Sequence, residues 1–457
     1  MFSIIKLRTY ILVILTLQSF FVLLVPVHGA SYVFSYIALD DSGIAEVVSI
    51  NPVTKASSTA QMQLFPIDTR VHVEYPSWVS PSGEWMTLQY YTSQTSGAIR
   101  LINLRSGEIR DIAPGGVNLE MGKETQPDQV EAWSPNARYL AFSIFSPNDP
   151  ATNMRAYLYD VISKTLVKLN VHQTESLRFA WSSDSSQLAV EGQSNDFTTN
   201  YSTSIDILDV KTNTLNLSIP NLGQIDITAL CNLKWSPDGR YIAFISGCDP
   251  SDLFIDHEVF VWDTQIKKSI QVTTLAASIL TNSLAIESTY YLYWLKTNQL
   301  LVGQSIRSTH VGNSSVTTLT IIYDTSKAIS TFYNTGKVQA LSVNSITGKL
   351  VMSIIPAYDS DFNPVSSQIK LGNLDENVSI SGVTLVDGNQ FSWSPDGQFL
   401  VYQETGTNKF AFVDVSTNKP SISYTFDDST IKTSLPTPEN GNPQQITILP
   451  IGWSISN

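Results

Sequence analysis

The sequence predicts an all-β protein assembled from repeated four-stranded units. Three observations predict it. A tryptophan, a tight polar turn and an apolar strand recur about every 50 residues through a chain of 457. Strand-like stretches fill the intervals, with no helical run. The two chain ends each hold part of one further unit. A fixed period of this size means supersecondary units that bury their faces only by stacking on neighbours.

The clearest copies are Trp235-Ser236-Pro237-Asp238-Gly239-Arg240 and Trp393-Ser394-Pro395-Asp396-Gly397-Gln398, each followed by an apolar strand. Good copies begin at Trp133, Trp181 and Trp78, and weaker ones at Trp294 and Asn344. In the copy at Trp235 the first strand covers 231–235. Proline pre-sets the turn that follows, Asp and Ser bond local amides, and Gly relieves strain. Residues 241–246 alternate as a second strand. A variable loop over 247–258 leads to a third strand at 259–264 and a fourth at 269–274. Third strands in several units end in an apolar residue followed by Asp, as at Asp160, Asp209, Asp263, Asp324 and Asp414, where the Asp starts the next turn.

Four-stranded units repeated in this way describe a β-propeller. The stretch after residue 31 supplies second, third and fourth strands without a first, and the C-terminus ends in a lone first strand around Trp453. Each end completes the other, so the C-terminal strand is expected to join the N-terminal blade, close the ring and remove exposed sheet edges. Eight blades are favoured; the count is seven if the Trp294 or Asn344 unit is not a full blade. Seven of the nine tryptophans, Trp78, Trp133, Trp181, Trp235, Trp294, Trp393 and Trp453, stand at the anchor and are read as packing residues between blades. Asp184, Asp238 and Asp396 are read as turn residues, not as catalytic carboxylates.

Residues 1–30 differ from the rest. Lys6 and Arg8 precede an apolar run from Tyr10 to Val27, and Gly29 and Ala30 follow. This is the pattern of a secretory signal peptide cut after residue 29 or 30; an uncleaved anchor is the alternative, though the run is short for a span of roughly 20 residues. The expected organisation is a signal peptide over 1–30 and one propeller domain over 31–457, secreted or held in the periplasm or cell envelope, with no stable membrane insertion after cleavage.

The chain carries 27 basic and 40 acidic residues, a net charge of −13, and no local cluster of Lys or Arg. That disfavours nucleic acid and anionic membrane surfaces as partners. The only cysteines, Cys231 and Cys248, flank the best repeat copy, and a hairpin turning at 237–239 would bring them close. In an exported protein a disulfide between them is expected.

The Ser-Pro-Asp-Gly turns after Trp, the apolar strand that follows and the later strand ending in Asp resemble the TolB-type propeller repeat, also called the WD-like Pro-Asp repeat. The resemblance spans nearly all of residues 31–457. It implies a propeller fold and an envelope compartment. The chain shows neither the N-terminal domain of TolB nor the hydrolase domain of prolyl-oligopeptidase-like enzymes, so the resemblance transfers no activity and no partner.

No nucleophile elbow, P-loop or dinucleotide fingerprint is present. His72, His172, His257 and His310 fall in different repeats and form no zinc-ligand pair. No catalytic residue and no required cofactor is assigned. The densest acidic cluster, Asp249, Asp252, Asp256 and Glu258, is a candidate Ca²⁺ site in the loop of the Cys231 unit, although its spacing is not that of an EF-hand. Loops joining second to third strands leave one end of every blade, opposite the tight turns. The long ones, 146–155, 193–203, 247–258, 304–316 and 357–365, are expected to share that end. Asn195, Phe197, Tyr201, Phe254, His257, Tyr358, Asp359 and Asp361 lie on them and are the candidate ligand-facing residues. Variable loops on a rigid scaffold are where binding resides. The leading reading is therefore a non-catalytic propeller that binds a protein, peptide or glycan. The alternative is a propeller enzyme, a lyase or glycoside hydrolase, whose residues converge on the central channel from several blades.

Overall fold

The structure, a computed structural model, describes residues 32–39, 44–54, 56–63, 72–93, 96–112, 118–120, 133–145, 154–172, 175–194, 202–219, 230–246, 258–273, 284–295, 298–310, 313–327, 329–333, 337–344, 347–358, 364–374, 380–385, 388–404, 410–415, 422–425 and 447–455. Among them there is no helix, and hence none long and apolar enough to cross a membrane. The described strands group into eight antiparallel sheets of four.

Seven of these sheets use consecutive strands. The fifth, for example, runs Leu230–Trp235, Tyr241–Ser246, Val259–Asp263 and Lys268–Gln271. The first sheet combines Tyr32–Leu39, Ile44–Ile50 and Ser57–Gln63 with the C-terminal strand Thr447–Ile455. Phe34 stands opposite Trp453 in that antiparallel pair.

Neighbouring sheets bury their faces against one another. Trp181, Leu188 and Leu208 of the fourth sheet meet Ala141, Ala156 and Leu158 of the third. On its other face Ala180, Ala189 and Ile207 meet Trp235, Phe244 and Phe260 of the fifth. Phe34, Ile50 and Trp453 of the first sheet pack with Phe399, Phe410 and Phe412 of the eighth. A middle strand is thus covered on both sides, which is why Tyr241–Ser246 is buried at every position and does not alternate as expected.

The tight turns behave as the sequence predicts. Ser236 Oγ donates to Asp238 Oδ1, which also accepts the Arg240 amide, and Ser236 Oγ accepts the Tyr241 amide. Gly239 and Gly397 have φ of 71°; Ala137 and Ser185 fill the same left-handed position at 58° and 63°. Asp263 starts the next turn as expected, its Oδ1 accepting the amides of Gln265 and Ile266. Asn51 and Asn103 do the same in the first and second sheets.

Two anchors move by one residue. Val343 stands opposite Leu350 as Trp393 stands opposite Leu400, so Val343 and not Asn344 is the anchor of the seventh sheet. Val79, not Trp78, stands opposite Met86 in the second. The turn decides this: Ser80 and Asn344 each donate their amide to close it, as Ser236 does, so the anchor is the residue before them. The expected loop at 304–316 is also revised. Strands Gln299–His310 and Asn313–Asp324 form one long hairpin, with His310 opposite Asn313. The Ser- and Thr-rich stretch that reads as a loop has β-branched residues suited to strands.

Candidate functional site

Few of the sequence-selected loop residues are described. Cys231 lies in Leu230–Trp235 opposite Ile245, and Tyr358 ends Leu350–Tyr358 opposite Pro364. Glu258 precedes the third strand of the fifth sheet. Asn195, Phe197, Tyr201, Cys248, Asp249, Asp252, Phe254, Asp256, His257, Asp359 and Asp361 lie outside the described residues. Among the described residues no group of three His, Cys, Asp or Glu side chains could hold a metal ion.

What is described is the base from which these loops rise. Ser246 and Glu258 close the 247–257 loop: the Ser246 amide donates to the Glu258 carbonyl at 2.9 Å, and the Glu258 amide donates to Ser246 Oγ at 3.3 Å. The Glu258 side chain is buried and its Oε2 accepts the hydroxyl of Thr273, whose Oγ1 in turn accepts the Val259 amide at 2.9 Å. The acid that the sequence offers to a Ca²⁺ cluster is therefore turned inward at the loop's root. In the fourth sheet, Ser194 stands opposite Ser202 at the base of the 195–201 loop.

Two further acids are fully buried in this sheet. Glu191 stands opposite Arg178 of the first strand, with Arg178 Nη1 3.5 Å from Glu191 Oε2. Asp206, in the third strand, accepts the backbone N–H of His172 at 2.7 Å and lies 3.1 Å from His172 Nδ1. His172 is on the connection from the third sheet to the fourth, and its side chain is 66% exposed over a carboxylate with no exposure. A carboxylate beside Nδ1 suits the tautomer that carries its proton there and faces Nε2 outward. A buried acid is costly unless it is hydrogen-bonded. Here the bonds tie the connection to the sheet and orient one imidazole.

Asp206 escapes a reading of the single strand, where it alternates with Ile205 and Ile207 like a solvent-facing residue. Comparison of repeats would have found it. Asp206 stands three residues before Asp209, where the third and fifth sheets have Tyr157 and Phe260 before Asp160 and Asp263. A strand buried on both faces has no solvent side for such an acid.

No family model and no curated protein matches this chain. Solved structures do resemble it. A prolyl endopeptidase structure is 14% identical over 78% of this chain, with a TM-score of 0.48; the chain spans about half of that protein's length, 50%. The β-propeller domain of the trilobed protease from Pyrococcus furiosus is 14% identical, with 78% of this chain and 98% of that one covered and a TM-score of 0.45. TolB from Acinetobacter baumannii is 12% identical over 76% of this chain and 78% of its own, with a TM-score of 0.33. At these identities and scores no activity, substrate or partner passes from them to this chain.

Proposed function

We propose that the eight sheets are the blades of one exported β-propeller, closed by its C-terminal strand, and that its loop-bearing end binds a protein, peptide or glycan without catalysis. One observation carries the reading: the polar groups beneath the long loops serve as their foundations. Ser246, Glu258 and Thr273 bond one another at the root of 247–257, and Asp206 fastens the connection through His172. Rigid roots under long loops make a platform for recognition. Export is supported by Lys6 and Arg8 before the apolar run and by Gly29 and Ala30 after it. A Cys231–Cys248 disulfide belongs to the same reading. So does Ca²⁺ on Asp249, Asp252 and Asp256, which Glu258 would join only by leaving Thr273.

Replacing 249–256 and 359–363 with short Gly-Ser linkers, while keeping Cys248 and Glu258, tests the proposal. Partner capture from the native envelope should be lost with the melting temperature unchanged. Capture that survives both replacements would sink the idea. A second reading, an enzyme, has one observation in its favour: the exposed imidazole of His172 oriented by buried Asp206, the arrangement of a general base. Turnover of an oligosaccharide that disappears in His172→Gln would replace the binding reading with that one.

A further inference from the structure

We propose that the tight-turn end of the protein docks on an anionic lipid surface. The three most exposed large aliphatic side chains among the described residues are Val53, Ile162 and Ile266, at 66%, 72% and 54%. All three occupy one structural position, the turn from the third to the outermost strand, in the first, third and fifth sheets. The same turns of the second and fourth sheets carry exposed Arg105 and Lys211. Lys164 follows Ile162 by two residues and Lys267 follows Ile266 directly, both exposed.

Of the acids in these turns Glu108 is exposed, pairing with Arg110 and Lys164, and the strand-end aspartates of the third and fifth sheets lie beneath the tips. The side chains of Asp160 and Asp263 are 13% and 3% exposed, paired with Arg138 and Arg240 and engaged by turn amides. The outermost groups of the turns in the third, fourth and fifth sheets are therefore aliphatic and ammonium, on a protein whose net charge is −13. Only charges within about 10 Å act strongly at physiological salt, so the tips respond to their own lysines, with Glu108 offsetting Lys164 alone. The turns from first to second strands share one end of the molecule, and those from third to outermost strands adjoin them, Val161 N donating to the Arg138 carbonyl and Thr264 N to the Arg240 carbonyl. Asn136 N donates to Ser185 Oγ, Ser183 Oγ to the Pro237 carbonyl and Asn298 Nδ2 to Asp238, each across neighbouring sheets.

The arrangement selects a bilayer over a protein partner. A protein interface buries a contiguous patch with an apolar core. Here the aliphatic tips are set on separate turns with basic ones between. A lipid interface accepts such side chains one at a time, and lysines beside them strengthen binding to anionic headgroups. Single exposed aliphatics are common; their shared turn position and neighbouring lysines distinguish these.

Sedimentation of the exported chain with phosphatidylglycerol–phosphatidylcholine vesicles, against phosphatidylcholine alone, tests this. The protein should pellet with the anionic vesicles at low salt and be released at about 0.5 M salt. Ile162→Ser with Ile266→Ser should weaken binding about tenfold, and so should Lys164→Gln, Lys211→Gln and Lys267→Gln together. These are surface changes, so melting should be unaffected. Failure to pellet, equal binding to neutral vesicles, or binding that ignores both variants, as insertion of the apolar run at 10–27 would, overturns the proposal. Capture on polyglutamate without vesicle binding also overturns it, and marks an acidic protein as the partner.

Discussion

The indole N–H of Trp235 donates to the backbone carbonyl of Ala180 on the neighbouring sheet, 3.0 Å away. Ala180 is the residue before the preceding anchor, Trp181. The relation repeats: Trp294 reaches the Lys234 carbonyl at 2.9 Å, Trp393 reaches Ser342 Oγ at 3.1 Å, and Trp453 reaches the Ser392 carbonyl at 3.4 Å. The recurring tryptophan is thus a hydrogen-bonded link between sheets as well as an apolar filler. Trp133, buried in the third sheet, has an indole nitrogen with no partner.

That contrast predicts a difference between two like substitutions. Trp235→Phe removes a donor that bonds the Ala180 carbonyl across two sheets, whereas Trp133→Phe removes a donor that bonds nothing among the described residues. Chemical denaturation should find Trp235→Phe costlier by about 1 kcal/mol. Equal costs would show that the bond adds nothing to the packing.

Backbone strain predicts a stabilising change. Ala137 holds φ of 58° where Gly239 stands in the fifth sheet. A left-handed residue with a Cβ costs roughly 1–2 kcal/mol, so Ala137→Gly should stabilise by about 1 kcal/mol. Ser185→Gly should gain less, because Ser185 Oγ accepts the Asn136 amide. In the reverse direction, a Cβ on Gly239 meets nothing, but one on Gly397 would lie 2.5 Å from Asn344 Nδ2. Gly397→Ala should therefore lower the melting temperature more than Gly239→Ala.

Acid sensitivity should trace to the strand-end aspartates. Burial opposes ionisation of Asp263, but the bonds from Arg240, Gln265 and Ile266 outweigh it and hold its carboxyl below the usual range. Asp324 is lowered to about 2, chiefly by the Ser326 hydroxyl, against some burial and with help from the Ser326 amide and Lys327. A depressed carboxyl stabilises the fold above its unfolded value of about 4 and loses that contribution as pH falls through the folded value. Asp263→Asn should flatten the decline in stability below about pH 4. Asn51 and Asn103 already accept amides at this turn position, so the change isolates the charge. An unchanged acid limb would exclude Asp263 as a contributor.

Removal of the C-terminal strand predicts a larger loss. Trp453 stands 5.6 Å from Phe34 and 6.4 Å from Phe399, centroid to centroid, and Thr447–Ile455 covers the edge of Tyr32–Leu39. A chain ending at residue 446 should aggregate or melt well below the full chain, since it exposes an apolar edge strand. Unchanged melting would refute closure by this strand.

The repeat, the strand-rich composition, the tight turns and the partnership of the two chain ends are legible in the residues alone. Those properties follow from local chemistry: Ser-Pro-Asp-Gly specifies its own turn, and Trp453 continues the period that Trp393 extends. Tertiary structure decided matters that depend on residues far apart in the chain. The anchors Val79 and Val343 were settled by strand register and the turn amides, because a shift of one residue reverses the face. Asp206 reads as solvent-facing within its own strand, and only comparison with Tyr157 and Phe260 of other repeats marks it as buried. The loop-face candidates from Asn195 to Asp361 rest mainly on sequence, whereas Glu258 was placed by its bonds at the loop's root. The chain has no basic cluster in linear order, since Lys164, Lys211 and Lys267 sit about 50 residues apart. Repetition of one topology puts each of them on the same kind of turn, and a property spaced at the repeat period becomes a property of one surface.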